Sequence, residues 1–90
     1  MTDLPDIPTK SSIQVIDRMM SLVATLARHP SPANLKQLAA ETRLHPSTAH
    51  RILAVMVDNR LVDRIEPGTY RLGIRLLELG NLVRVRLNVG

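Results

Sequence analysis

The run Ser47-Thr48-Ala49-His50-Arg51 places two hydroxyls, an imidazole and a guanidinium side by side, and Asp58 follows farther along. Ser47, His50 and Asp58 are the residue types of a nucleophile, a base and an orienting acid. At roughly 100° per residue all three fall on one exposed helical face, with no cleft, oxyanion donors or orienting shell in the pattern. No enzyme is expected from them. The same side chains suit a different chemistry, the donation of hydrogen bonds to base edges and phosphates. Pro46 fits the first position of a helix, where its missing N–H costs nothing, and the helix is expected over Pro46–Asp58. Ala49, Ile52, Leu53 and Met56 then form the core side. Ser47, His50, Arg51, Ala54 and Asp58 lie opposite, flanked by Thr48 and Val55. A face that is small at Ser47 and Ala54 and donor-rich at His50 and Arg51 can enter a DNA major groove about 12 Å wide. The first turn adds backbone N–H groups and the positive end of the helix dipole. Each residue also has a plainer reading: Ser47 and Thr48 as local caps, His45 as a cap, and His50 and Arg51 as solvated surface groups.

The rest of the composition narrows the classes. Ninety residues make one small domain, which buries only about 60–65% of the surface of its unfolded chain. There is no cysteine, so disulfides, thiol nucleophiles and iron–sulfur ligation are excluded. The three histidines have no spacing that suggests a metal site, and no cofactor is expected. The start, MTDLPDIPTK, lacks the apolar stretch of a signal peptide, and no apolar run approaches the roughly 18–20 residues of a membrane span. A soluble, cytoplasmic protein is expected. The net charge is +4, and from Ile7 onward 12 basic residues face 6 acidic ones. Such an excess suits a polyanion, either nucleic acid or an anionic membrane surface. The membrane is disfavoured, because the basic helix end Arg84-Val85-Arg86 is short and lacks Trp or Phe anchors. Tyr70 is the only aromatic residue and fits a packing role under a hairpin better than a stacking platform for single strands.

The elements that must hold the recognition face follow from periodicity. Residues 1–11 carry Pro5 and Pro8 and no periodicity, and read as a disordered lead-in. A first helix is expected from Ser12, as N-cap, to Arg28, ended by His29-Pro30. It carries two apolar stripes. One is Ile13, Ile16, Met20, Val23 and Ala27; the other is Val15, Met19, Leu22 and Leu26. Gln14, Asp17, Arg18, Ser21, Thr25 and Arg28 are left for solvent. Such width serves either a core touched on two sides or a core plus a second subunit, and the stripe Val15, Met19, Leu22, Leu26 is assigned to the subunit contact. After the loop Pro30–Ala33, Asn34 caps a short helix Leu35–Glu41. A turn, Thr42–His45, leads into Pro46–Asp58. Two β-like segments, Leu61–Ile65 and Thr69–Leu72, flank Glu66-Pro67-Gly68. A proline-led turn of this kind is not the favoured two-residue hairpin connection, so a longer, looser loop is expected. Gly73 is expected to supply a sharp backbone change into a last helix, Ile74–Leu87. The fold class is mainly α with a small β-hairpin, a winged helix-turn-helix over residues 12–73 followed by a linker helix over 74–90.

The run LKQLAAETRLHPSTAHRIL, followed by LVDRI and TYRLGIRLLELG, resembles the N-terminal DNA-binding domain of the IclR family of bacterial transcription regulators. The resemblance covers about Ile13 to Gly80, and the motifs Ser47–Arg51 and Tyr70–Gly73 are fairly specific in combination. It implies a winged helix-turn-helix that dimerises through this domain and reads an operator. It also implies a small-molecule effector acting through a C-terminal domain that this chain lacks. Two positions depart from the family pattern. Arg43 stands where a glycine is usual in the turn, and His45-Pro46 stands where Pro-Lys is frequent, so one basic contact is missing or moved.

The expected partner is double-stranded DNA, bound by a homodimer. Ser47, His50 and Arg51 are expected at base edges. Asn34, Lys36, Gln37, Arg43, Thr48, Arg64, Thr69 and Arg71 are expected along the backbone. The competing class is a winged helix that docks proteins, in which case Arg51, Arg64 and Arg71 are ordinary solvated charges.

Overall fold

The computed structural model describes residues 10–87, with side chains from 14 onward. The chain order is α1 (Lys10–Arg28), β1 (Ala33–Asn34), α2 (Leu35–Thr42), α3 (Pro46–Asp58), β2 (Val62–Glu66), β3 (Thr69–Leu72) and α4 (Ile74–Leu87). Most of the lead-in expected over residues 1–11 lies outside the described residues. The helix begins at Lys10, so Ser12 sits inside α1 rather than capping it.

Among the described side chains of α1, those that enter the core come from its second half. Leu22 is fully buried and Leu26 nearly so, and Thr25 between them is buried as well. These three at i, i+3 and i+4 form the inward stripe, which packs α1 on α2, α3 and β3. Thr25, assigned to solvent from the sequence, is therefore an interior residue, and its hydroxyl accepts from the Arg28 guanidinium at 3.3 Å. The subunit-contact stripe is corrected too. Leu22 and Leu26 close this domain's own core and Met19 packs against it, leaving Val15 as its one exposed member. Among the described side chains of α1, the large apolar residues that remain exposed are Val15, Ile16 and Met20.

The core cluster is completed by Ala33, Leu38, Leu53, Met56, Val62 and Tyr70. The three short strands form an antiparallel sheet in the order β1-β3-β2. Tyr70, on the central strand, is 2% exposed and fills the interior beneath the hairpin. β1, which the sequence reading leaves in a loop, pairs Ala33 with Tyr70 and Asn34 with Thr69. The hairpin is tighter than expected. Glu66 pairs with Thr69, so Pro67 and Gly68 are the two central residues of the turn, and Gly68 has the φ of 78° that a type II turn requires at its third position. The mismatch between this turn and the strand twist is absorbed next door. Arg64 pairs with Tyr70, so Ile65 is an extra residue, a β-bulge.

Helices α2 and α3 end in the same way. Arg43 and Arg60 adopt φ of 62° and 63°. The next residue in each case donates back into the helix, Leu44 to Ala39 at 3.0 Å and Leu61 to Met56 at 2.9 Å. This is the Schellman arrangement, in which the residue after the left-handed position drops an apolar side chain onto the core. Leu44 and Leu61 do so. Gly73 does not serve as a left-handed hinge. It is buried, and a Cβ there would lie 2.3 Å from the Arg60 carbonyl oxygen, so the start of α4 passes directly against the end of α3. No residue of α4 is buried among those described.

Candidate nucleic-acid interface

Two helix starts and a hairpin turn converge on one side of the domain. Asn34 and Lys36 at the start of α2, Pro46 at the start of α3, and Pro67, Gly68 and Thr69 of the hairpin turn surround an open depression of about 590 Å³. A backbone hydrogen bond from Leu35 N–H to the Gly68 carbonyl, 2.9 Å, ties the hairpin turn to α2. The reason for the convergence is β1: its two residues fix the start of α2 to the middle of the sheet. Two helix N-termini, each the positive end of a helix dipole, thus flank the tip of the hairpin, Pro67-Gly68.

Local capping organises both helix starts. The Asn34 amide oxygen accepts from Gln37 N–H at 2.8 Å, and the Gln37 amide oxygen accepts from Asn34 N–H at 3.0 Å, a reciprocal capping box. Both side chains are exposed, and each keeps its amide nitrogen as a donor. On α3 the cap is His45, whose Nδ1 accepts from Ser47 N–H at 3.2 Å and lies 2.9 Å from the Ser47 hydroxyl. Ser47 and His45 therefore organise one another, and the imidazole does the work that a Ser or Asp usually does at this position.

Beyond the cap, the outer face of α3 is as the helical wheel requires. Ala49, Leu53 and Met56 are buried and Ile52 is half-buried. Ser47, His50, Arg51, Ala54 and Asp58 are exposed, and Thr48 is half-buried at the margin. The tertiary structure divides this face. His50 looks toward the hairpin, where it shares a cleft of about 110 Å³ with Asp58, Arg64 and Tyr70. Arg51 lies on the other side, toward α1, beside Val15, Met19, Ile52 and Val55. Strand alternation separates the two hairpin arginines as well. Arg64 pairs across from Tyr70 and faces α3, whereas Arg71 is opposite Asp63 on the reverse face. There Arg71 stands 3.9 Å from the Asp63 carboxylate and borders a hollow with Leu26, His29 and Pro30. Of the expected backbone residues, Asn34, Lys36 and Thr69 are brought together, Gln37 is linked to them through the capping box, and Arg64 joins the α3 face. Arg43 is exposed in the turn before α3, and Arg71 is apart.

Sequence reading missed β1 and the hairpin turn itself as parts of this surface. A two-residue bridge has no periodicity to detect. The one available signal was Pro67-Gly68, which marks a turn without saying what the turn touches.

Three helices closed by a three-stranded antiparallel sheet, with the helix-turn-helix formed by α2 and α3 and a hairpin beside it, make this a winged helix-turn-helix domain. The model of the IclR helix-turn-helix domain matches residues 15–66. The chain belongs to the IclR family of transcription regulators, and this part of it is a DNA-binding regulator domain. A curated relative, an uncharacterized HTH-type transcriptional regulator of Haemophilus influenzae, is 32% identical over 77 residues, covering 84% of this chain and 29% of its own length. The crystal structure of the repressor BlcR of Agobacterium tumefaciens superposes with a TM-score of 0.76 at 27% identity, covering 87% of this chain and 32% of that one. An IclR family regulator of Brucella abortus shares the fold at a TM-score of 0.74 and 17% identity, over 96% of this chain and 33% of that one. The chain thus spans about a third of the length of these relatives. The family and the relatives matched are regulators, not enzymes, and no helix among the described residues is long and apolar enough to cross a membrane.

Arg43 bears directly on stability. A side chain at positive φ costs on the order of 1 kcal/mol relative to glycine. Arg43→Gly is therefore expected to raise the unfolding midpoint by about 4–8 °C for a domain of this size, checked by thermal melting followed by circular dichroism. If the guanidinium also serves a phosphate, the same variant binds every duplex more weakly, a trade between stability and binding readable in one protein.

Proposed function

We propose that this domain binds duplex DNA sequence-specifically as a cytoplasmic homodimer, with α3 in the major groove and the β2–β3 hairpin along the neighbouring backbone. The observation that carries the reading is the convergence of the α2 and α3 N-termini with the hairpin turn beside exposed Lys36, with exposed Arg64 and Arg51 on either side of the outer face of α3. Arg51, with Ser47 and His50 in support, reads base edges. Lys36, Asn34, Gln37, Thr48 and Thr69 hold phosphates, with Arg43 and Arg64 at the two flanks. Phosphate contacts set register and affinity while base contacts carry sequence. Arg71 is the weakest of the proposed contacts, because it lies on the reverse face of the hairpin beside Asp63.

For the homodimer, the apolar surface that supports the reading is Ile16 and Met20 on α1 together with the exposed apolar residues of α4, such as Leu82, Val83 and Leu87. A small-molecule effector, on this reading, acts through a domain beyond this chain.

Titration of duplex binding against salt tests the proposal. Phosphate neutralisation makes log affinity fall linearly with log salt, with a slope of about −0.9 per phosphate contacted. A steep slope is expected, reduced by about 1 per protomer in Lys36→Ala. A flat response with every duplex would refute DNA binding and favour a protein-docking role. Protection of two half-sites about one helical turn apart, or a multiple of it, is the expected footprint of the dimer.

A further inference from the structure

Helix α3 carries one large apolar residue that the core leaves out. Leu53 and Met56 are fully buried, whereas Val55 is 55% exposed. It stands one helical turn after Arg51 and beside Ala54, which is also exposed. With Val15, Met19, Ile52 and the Arg51 side chain it lines a shallow, apolar depression of about 210 Å³. The outer face of α3 therefore changes character along its length, from donors at Ser47, His50 and Arg51 to apolar surface at Ala54 and Val55. A valine offers nothing to a phosphate and gains nothing from water. On the major-groove edges of the four base pairs, the one apolar group available to it is the C5-methyl of thymine.

We infer that Val55 is a specificity-determining residue that packs on a thymine methyl beside the base pair read by Arg51. The inference rests on the docking of α3 proposed above. Four residues advance a helix by about 6 Å, and base pairs are stacked about 3.4 Å apart. The thymine therefore lies within about two base pairs of the Arg51 contact.

The test uses the chain itself and a duplex selected by it from a random pool. Thymines are replaced one at a time by deoxyuridine, which removes only the methyl group, and binding is followed by fluorescence anisotropy. At a position within about two base pairs of the one whose selectivity is lost in Arg51→Ala, the replacement is expected to weaken wild-type binding about 3- to 5-fold, the value of one buried methyl. Val55→Ser is expected to bind the thymine and deoxyuridine duplexes alike, while Val55→Thr, which keeps one methyl, retains part of the difference. Circular dichroism of the variants confirms the fold, since the position is exposed.

Selective binding with no deoxyuridine effect at any position overturns the role of Val55 and leaves the DNA-binding reading standing. An unchanged thymine-to-deoxyuridine ratio in Val55→Ser does the same. If that variant also sediments as a smaller species, the depression belongs to a second copy of the chain. Failure to select any sequence overturns both the inference and the reading beneath it.

Discussion

Arg51→Ala is expected to cost about 1–3 kcal/mol of binding to a selected operator and to relax preference at one base position. Arg51 is exposed on the side of the outer face of α3 that turns toward α1, and that face is held by three buried residues, Ala49, Leu53 and Met56. Truncation to alanine, a strong helix former, leaves the helix intact. The loss is therefore one of contact rather than of fold. A bidentate guanidinium distinguishes guanine from the other bases through its O6 and N7 acceptors, so a competition series with each base at each position shows where the preference disappears. Equal losses on operator and random duplex would show instead that Arg51 is one more phosphate cation. Lys36→Ala is the control, expected to weaken all sequences alike because Lys36 sits at the start of α2 beside the hairpin turn.

Gly73→Ala is expected to be the most damaging alanine substitution among the described glycines, with a loss of about 1–3 kcal/mol from overpacking. The added carbon would meet the Arg60 oxygen at 2.3 Å and the Leu61 carbonyl carbon at 2.8 Å, and both are backbone atoms that cannot rotate away. Moving them would also strain the hydrogen bonds from Gly73 N–H to Leu61, 2.8 Å, and from Arg75 N–H to Arg60, 3.3 Å. Those bonds attach α4 to the end of α3. The same substitution at Gly80 should have the opposite sign. Nothing lies within 4 Å of a Cβ there, and alanine is favoured over glycine inside a helix by about 1 kcal/mol. Urea unfolding of the two variants side by side measures both. Similar midpoints would disprove the close-approach account of Gly73.

Helix α3 is legible in the sequence itself. Pro46 at its start, a core side of Ala49, Ile52, Leu53 and Met56, and an end at Asp58 all follow from local rules, because capping and amphipathic period act within a few residues. The last strand and α4 were legible for the same reason, and so was the interior place of Tyr70, the one aromatic residue. The reading of α1 was less complete. Two adjacent apolar stripes are equivalent on a helical wheel, and which one meets the core depends on partners tens of residues away. Leu22, Thr25 and Leu26 became the inward stripe because α2, α3 and β3 close over the second half of α1.

The residues that could touch a polyanion, then, and the helix that presents them, were determined by the sequence alone, since helix start, period and charge are local properties. The tertiary structure alone decided which of them lie together. β1 bridges to β3 and draws the α2 start to the hairpin turn, the β2–β3 pairing sends Arg64 toward α3 and Arg71 away, and the packing of α1 splits His50 from Arg51 across the outer face. Each of these depends on contacts between segments far apart in the chain, where pairing register and burial, rather than the propensity of any short stretch, choose the partner.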